Sequence, residues 1–263
     1  MRSNPVRRLL ADGASPIGLM VLEFGSHGVA RIARSSGADF VLYDMEHSGW
    51  AAETVKGLLE TARAAGIPPF VRVRDSARSS ISLLLDQGAL GLMIPMVESA
   101  AQARSIAEFS RYPPSGSRGV GVYYADDIEP GGLPETLAKA NREILILAQI
   151  ETVAGVENVE EIAAVDGIDV LWIGHYDLTT SLGTPGQFWT AEHAAAVDRV
   201  LAAAAAVGKP VGTLANDLED ARNLLAMGFR AIILGDSPVF GQALGAILSD
   251  LRSPSPAPSD PTT

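Results

Sequence analysis

Short apolar segments recur along the chain, each four to seven residues long, and longer amphipathic segments lie between them. The apolar segments are rich in Val, Ile, Leu and Phe and show no regular alternation with polar residues, which is typical of parallel strands buried on both faces. They predict eight strands, at residues 17–23, 40–44, 69–73, 91–94, 144–150, 170–173, 211–214 and 231–234. Most are separated by enough chain for a crossover helix, so the pattern predicts an α/β fold, a closed (β/α)8 TIM barrel rather than a smaller open sheet.

Amphipathic helices are predicted between the strands, at residues 54–65, 76–87, 99–109, 191–207 and 217–227. Four of them run into Gly66, Gly88, Gly208 or Gly228, and each glycine leads within a few residues into the next predicted strand. Glycine suits the left-handed conformation that commonly ends a helix, so these joins are typical of αβ loops. A further amphipathic segment at residues 238–251 predicts an additional C-terminal helix.

A single catalytic domain is predicted over residues 1–252, because 263 residues match the roughly 250 that one α/β barrel needs. Residues 253–263 are rich in Pro and Ser and predict a disordered tail. Residues 111–132 form the longest stretch without periodicity, and their Pro and Gly content indicates an ordered functional loop or a subunit contact.

The composition excludes several classes of function. The net charge is −11 and the basic residues form no cluster, so no nucleic-acid partner is expected. The chain has no cysteine, which excludes disulfides, thiolate metal sites and cysteine nucleophiles. The N-terminal segment has too short an apolar core for a signal peptide, and no stretch approaches the roughly 20 apolar residues of a membrane span. We therefore expect a cytoplasmic protein with no membrane partner.

Polar side chains gather at the carboxyl ends of four predicted strands. The second strand leads into Asp44, Glu46 and His47, the third ends near Arg72, the fifth ends near Gln149 and Glu151, and the sixth leads into His175, Tyr176 and Asp177. The carboxyl ends of barrel strands meet at one rim, where the active sites of this fold lie. A hard divalent cation such as Mg2+ commonly binds one or two carboxylates there, and an Arg beside it can stabilise a developing oxyanion.

Several longer blocks carry a family resemblance. They are GADFVLYDMEHSGW, LDQGALGLMIPMVESAAQA, RYPPSGSRGVG, ILAQIETVAGVENVEEIAAVDGIDVLWIG and the DLTTSLG that follows. In order and spacing the chain resembles the HpcH/HpaI aldolase family of metal-dependent pyruvate aldolases, over roughly residues 16–245. The resemblance implies a class II aldolase that enolises a 2-keto acid with a divalent metal, Mg2+, Mn2+ or Co2+, without a Schiff base.

The resemblance also implies roles for individual residues. Glu151 and Asp177 correspond to the two metal ligands, and Arg72 to the Arg that stabilises the keto oxygen. His47 corresponds to the catalytic base, with Asp44 or Asp86 as the carboxylate that orients it. The substrate-binding residues that we predict are Arg72, Gln149, Gly174, His175, Tyr176 and Leu214.

The sequence departs from the family pattern next to Asp177. The family more often has G-P-x-D-L here, whereas this chain has G-H-Y-D-L, so His175 could join the metal shell, contact substrate or serve in packing. His27, after the first strand, is a candidate contact of the aldehyde. Arg118 is a candidate for closing the site or crossing a subunit interface. His193, inside an Ala-rich helix, is expected to be structural or solvated.

Three functions remain open at this point. The first is reversible cleavage of a 4-hydroxy-2-oxo acid to pyruvate, or a related 2-keto acid such as hydroxypyruvate, and an aldehyde. The second keeps the enolate chemistry but changes the outcome, to a citrate-synthase-like condensation or oxaloacetate decarboxylation. The third is a non-catalytic barrel that serves as a binding protein. The resemblance also implies a homo-oligomer, a trimer or hexamer, with C-terminal helices exchanged between subunits, although residues 238–251 could equally close their own barrel.

Overall fold

Eight parallel strands close into a barrel in chain order, with β1 hydrogen-bonded to β8. The computed structural model describes residues 3–121 and 128–253, so the predicted tail, apart from its first residue, lies outside the described residues. The strands are β1 Ile17–Val21, β2 Phe40–Asp44, β3 Pro69–Arg72, β4 Gly91–Ile94, β5 Leu145–Ile150, β6 Val170–Ile173, β7 Val211–Ala215 and β8 Ala231–Gly235. The predicted (β/α)8 barrel is confirmed.

Helices surround the barrel and occupy several of its loops. Within the described residues they are α1 Pro5–Ala11, α2 Val29–Ser35, α3 Ala52–Ala65, α4 Arg78–Asp86, α5 Ala100–Ser110, α6 Gly132–Glu143, α7 Val153–Glu157, α8 Val159–Ala163, α9 His175–Ser181, α10 Ala191–Ala206, α11 Leu218–Ala226 and α12 Asp236–Arg252. The five helices predicted between strands correspond to α3, α4, α5, α10 and α11. Gly66 ends α3 in the left-handed conformation, at a φ of +74°, as its sequence position predicts.

The first strand is shorter than predicted. The apolar segment runs to residue 23, but β1 ends at Val21 because the next three backbone N–H groups donate hydrogen bonds to a side chain and not to a neighbouring strand. One carboxylate oxygen of Asp236, at the start of α12, accepts the N–H groups of Leu22, Glu23 and Phe24 at 3.1, 3.0 and 2.8 Å. These bonds lead the chain out of the barrel wall at the rim.

The barrel interior is filled by aromatic rings that need glycines opposite them. The Phe40 and Phe70 rings lie 4.9 Å apart between their centroids, and both side chains are buried. A Cβ on Gly18 in β1 would lie 2.5 Å from the Phe40 ring, and one on Gly91 in β4 would lie 2.5 Å from Phe70. Both glycines therefore allow the rings to pack closely inside the barrel. The interior is filled by side chains, so a binding site can form at the carboxyl ends of the strands.

The C-terminal helix leaves its apolar side chains uncovered by its own barrel. Phe240, Ile247 and Leu251 on α12 are 56%, 58% and 77% exposed, whereas Asp236 at its first turn is buried. Of the two alternatives left open for this helix, closure of its own barrel would leave these apolar residues exposed. Within the described part of the chain, no helix is long and apolar enough to cross a membrane.

Candidate active site

A cavity of about 330 Å³ opens at the carboxyl ends of the strands. The predicted site residues that line it are His47, Arg72, Gln149, Gly174, His175, Tyr176, Asp177 and Leu214. Met20, Met93, Thr213 and Ile233 line it from other strands, so the cavity ends on the barrel interior. Trp172 on β6 is 2% exposed and also contributes to this lining.

Glu151 follows β5 and is buried beside the cavity, with 1% of its surface exposed. Its Oε1 accepts the N–H of Met96 at 2.8 Å, and its Oε2 accepts a short hydrogen bond from Gln149 Nε2. Met96 has a φ of +52°, an uncommon conformation for a residue with a side chain, which is often retained at functional sites. Burial raises the pKa of Glu151 to about 7; its two hydrogen bonds oppose the shift, and the charges of Glu46 and Asp177 add to it.

Gly174 allows the Glu151 carboxylate to lie directly against the backbone. A Cβ built on Gly174 would lie 2.9 Å from Gln149 Nε2 and closer still to Glu151 Oε2, below the 3.0 Å that real Cβ contacts keep. The φ of Gly174 is −94°, which any residue can adopt, so glycine is required here because it has no side chain and not because of its backbone conformation. Any side chain here would force the Glu151 carboxylate and the Gln149 amide to move.

Asp177 lies in the first turn of α9, directly after β6, and lines the cavity. Its charge raises the pKa of both Glu151 and Glu46, which places the three carboxylates within electrostatic range of one another. No group of three His, Cys, Asp or Glu side chains among the described residues has the geometry to hold a metal ion. Glu151 and Asp177 are two carboxylates within electrostatic range, and Mg2+ commonly takes one or two carboxylates from a protein and its other ligands from water and substrate.

Arg72, at the end of β3, is held rigidly by its neighbours on β2. The register pairs Arg72 with Asp44, and the guanidinium donates from Nε to Asp44 Oδ1 and from Nη2 to Oδ2, both at 2.8 Å. Glu46 Oε2 lies 3.3 Å from Arg72 Nε. Burial alone would lower the pKa of Arg72, but Asp44, Glu46 and Glu151 raise it above its usual value. The guanidinium therefore stays charged at the edge of the cavity.

His47 lines the cavity with a side chain that is 56% exposed. The carboxylate nearest its imidazole is Glu46, whose Oε2 lies 3.6 Å from His47 Nε2. We expected Asp44 or Asp86 in this place. Asp44 instead accepts the backbone N–H of His47 at 3.3 Å and binds Arg72 with its side chain.

Asp86 lies at the end of α4, away from the cavity lining, and binds Arg118. Arg118 Nη2 donates to Asp86 Oδ1 at 2.6 Å, and the guanidinium lies 4.5 Å from the centroid of the Tyr112 ring. This pair fixes the described part of the long loop, residues 111–121, against the barrel. His27 is likewise outside the lining, exposed beside Gly57 on α3.

The structure adds a partner for His175 that the sequence did not reveal. His193, which was expected to be structural or solvated, is fully buried, and its Nε2 lies 3.0 Å from His175 Nδ1. The N–H of Trp189 donates to His193 Nδ1 at 3.1 Å, so neutral His193 carries its proton on Nε2 and donates it to His175. Burial, and secondarily His193, lowers the pKa of His175 to about 4, and burial lowers that of His193. Both rings are therefore neutral at pH 7.

Five further residues of the lining were also missed, namely Leu22, Phe188, Trp189, Asn216 and Asp220. Asn216 directly follows β7, and Asp220 lies in the first turn of α11. The rule that identified the other residues, polar groups after a strand's carboxyl end, would have found Asn216. Phe188 and Trp189 lie in the loop before α10 and carry no such signal.

Comparisons with known proteins agree with this geometry. A family model described as HpcH/HpaI aldolase/citrate lyase matches residues 19–238. The chain is 36% identical to a 2-keto-3-deoxy-L-rhamnonate aldolase of Klebsiella pneumoniae, over 99% of this chain and 98% of that protein. Among solved structures it is similar to an HpcH/HpaI aldolase from Desulfitobacterium hafniense, with 30% identity, a TM-score of 0.88 and coverage of 97% and 99% of the two chains.

The chain is also similar to the crystal structure of the citrate synthase SbnG, with 31% identity, a TM-score of 0.84 and coverage of 94% and 97% of the two chains. These matches confirm the resemblance drawn from the sequence, and with it the expectation of an enzyme of the carbon–carbon lyase class.

Proposed function

Because the chain belongs to the HpcH/HpaI aldolase/citrate lyase family, we propose that it is a divalent-metal-dependent aldolase. It reversibly cleaves a 4-hydroxy-2-oxo acid to pyruvate, or a related 2-keto acid, and an aldehyde. The observation that carries the proposal is the close approach of the buried Glu151 carboxylate to Gly174 at the edge of the cavity, which Asp177 and Arg72 also line.

Glu151 and Asp177 are the residues that would hold the metal. Their oxygens are the donors that a hard cation prefers, and the raised pKa of Glu151 marks a carboxylate that a nearby positive charge would stabilise. When bound, a divalent metal supplies Lewis-acid polarisation of the keto group, which makes the adjacent C–C bond and α-protons labile. The ion is expected to be Mg2+, Mn2+ or Co2+.

Arg72 supplies a fixed positive charge for the keto oxygen as negative charge develops on it. Its bidentate pair with Asp44 immobilises the guanidinium before substrate arrives, so little reorganisation is needed during the reaction. Gln149, whose Oε1 is buried without a hydrogen-bond partner among the described residues, completes the keto-acid end of the cavity.

His47 is the residue that we assign to proton transfer. In the cleavage direction it takes the proton of the 4-hydroxyl group as the C3–C4 bond breaks, and the aldehyde leaves. The electron pair of that bond remains on the keto-acid fragment, whose C3 is then protonated to give the 2-keto acid. Imidazole suits this exchange because the ordinary pKa of an imidazole lies near neutral pH. Glu46 lies beside the ring and orients it.

The proposal is tested by the exchange of pyruvate methyl protons in D2O, followed by NMR. The chain with Mg2+, Mn2+ or Co2+ should exchange these protons, and EDTA should abolish the exchange. Glu151→Gln should abolish it as well, whereas Glu161→Gln, an exposed carboxylate on α8, should leave it intact. If metal is bound and neither pyruvate, hydroxypyruvate nor oxaloacetate exchanges, the proposed function is wrong.

The similarity to the citrate synthase SbnG supports a second candidate, in which the same keto-acid chemistry leads to condensation or to decarboxylation of oxaloacetate. Oxaloacetate incubated with the metal-loaded chain distinguishes the two candidates. Rapid formation of CO2, or of the tricarboxylate that forms when the pyruvate enolate left by decarboxylation adds to the keto group of a second oxaloacetate, would favour this second function over aldol cleavage if no aldehyde-dependent turnover accompanies it.

A further inference from the structure

A second group of side chains lines the same cavity as the residues assigned to the keto acid, and we call this group the distal subsite. It consists of Tyr176, Phe188, Trp189, Asn216 and Asp220, all of which line the same cavity as Arg72 and Asp177. Phe188 and Trp189 offer aromatic surface, whereas the other three offer polar groups. An apolar wall with a few converging polar groups is the usual composition of a small-molecule site.

The polar side of the distal subsite is a directed hydrogen-bond chain. Tyr176 Oη donates to Asn216 Oδ1 at 3.1 Å, and Asn216 Nδ2 donates to Asp220 Oδ2 at 3.0 Å. The backbone N–H of Asn216 also donates to Asp220 Oδ2, at 2.9 Å. Asp220 Oδ1 accepts no hydrogen bond from the described residues. This series of hydrogen bonds therefore ends at Asp220 Oδ1, a carboxylate oxygen that can accept a hydrogen bond from a ligand hydroxyl group.

The aromatic side is fixed by the two buried imidazoles. The hydrogen bonds from Trp189 to His193 and from His193 to His175 join the loop before α10 to α9, which carries Tyr176 and Asp177. The Phe188 ring also meets the Tyr176 ring edge-on, with 5.0 Å between centroids. Because these contacts hold both sides of the subsite on α9, its shape is set before a ligand binds.

The charge of the distal subsite is negative. Among the described residues that line the cavity, Arg72 is the one permanently charged cation, and Asp44 and Glu46 already neutralise it. A ligand carboxylate at the distal end would therefore lie near Asp220 without a cation to pair with. Juxtaposed like charges are a common means of rejecting a ligand.

We propose that the distal subsite binds the aldehyde half of the substrate and selects an uncharged hydroxyaldehyde against aldehydes that carry a second carboxylate. A hydroxyl group donates to Asp220, and the C–H face of the aldehyde packs on Phe188 and Trp189. The inference rests on the proposed aldolase function and names the substrate class of that same site.

The test measures kcat/KM for aldol addition of pyruvate to matched aldehydes. Succinic semialdehyde and its uncharged amide have nearly the same size and differ by one negative charge. The wild-type chain should prefer the amide by about tenfold or more, because the acid meets Asp220 without a counter-ion. Lactaldehyde should likewise exceed propanal, which lacks the hydroxyl group.

Asp220→Asn should bring the amide-to-acid ratio close to one, and Glu219→Gln, the adjacent exposed carboxylate, should leave it unchanged. If Asp220→Asn does not fold, the wild-type ratio still falls with added salt, because the repulsion is screened. The assignment of the distal subsite is overturned if the wild-type chain uses the acid as well as its amide. It is also overturned if neither Asp220→Asn nor salt changes the amide-to-acid ratio of kcat/KM. Methyl exchange of pyruvate by the wild-type chain separates this failure from a failure of the aldolase proposal.

Discussion

Replacement of Gly174 by alanine tests whether the Glu151 carboxylate, in its position against Gly174, holds the cation. The added methyl group would lie 2.9 Å from Gln149 Nε2 and nearer to Glu151 Oε2, so the carboxylate and the amide would have to move. The backbone at Gly174, with a φ of −94°, accepts alanine, so the change acts through the lost space. Displacement of groups that support metal ligands typically costs about 10–100-fold in metal affinity, and we expect at least this loss.

The expected size of the effect follows from mass action. Metal at 100 times its dissociation constant stabilises the folded chain by about 2.7 kcal/mol, and after a 100-fold loss of affinity by about 0.4 kcal/mol. For a chain of this size about 1 kcal/mol shifts the Tm by roughly 2–4 °C, so the metal-induced shift should fall from about 5–10 °C to about 1 °C. Calorimetric titration with Mn2+ and thermal unfolding with and without metal measure both quantities.

Gly28→Ala serves as the control, because a Cβ there meets nothing closer than 3.9 Å. It should retain the affinity and the Tm shift of the wild-type chain. Wild-type metal affinity in Gly174→Ala would refute the reasoning, since the cation would then lie elsewhere.

Three further predictions concern other parts of the molecule. Arg72→Lys keeps the charge but loses the bidentate pair with Asp44, so kcat should fall by about 100-fold with a smaller change in KM; a kcat within threefold of wild type would contradict this role. Burial raises the folded-state pKa of Glu151 to about 7, above its unfolded value of 4.5. The metal-free chain should therefore lose about 3 kcal/mol of stability between pH 4.5 and 7.5, and Glu151→Gln should remove this slope in urea unfolding. We propose that the exposed apolar residues of α12 hold together a homo-oligomer, a trimer or hexamer, so Ile247→Asp should dissociate it. Light scattering measures the mass, and Ser249→Asp on the same helix serves as the control. An unchanged mass in Ile247→Asp would refute this role of α12.

The fold could be predicted because parallel strands in a barrel are buried on both faces and therefore form continuous apolar segments in the sequence. The short helices α7, α8 and α9 could not, because five to seven residues do not span enough turns to show a helical period. Of these three helices α7 alone has a side-chain cap, in which Thr152 accepts the N–H of Gly155, whereas α8 and α9 begin without one. The end of β1 escaped prediction because it depends on Asp236, more than 200 residues away in the sequence.

The site could be predicted where position along a strand decides it. Arg72 lines the cavity and Glu151 lies beside it because the barrel brings every strand end to one rim. Contacts between individual side chains could not be predicted from the sequence, because they depend on how the loops pack. Within one chain Asp86 binds Arg118 and makes no contact with His47, and His193, within an Ala-rich helix, turns inward to His175.

The electrostatic balance of the cavity also orders the binding events. Asp44, Glu46, Glu151 and Asp177 surround a single Arg72, so a 2-keto acid would bring its own negative charge into a site that already has an excess of carboxylates. A divalent cation between Glu151 and Asp177 offsets that excess and offers the incoming carboxylate a counter-ion. We therefore expect the metal to bind first. Calorimetry should detect pyruvate binding to the metal-loaded chain and none to the chain treated with EDTA. Equal affinity for pyruvate in both states would contradict this order, and Arg72 would then suffice to bind the acid.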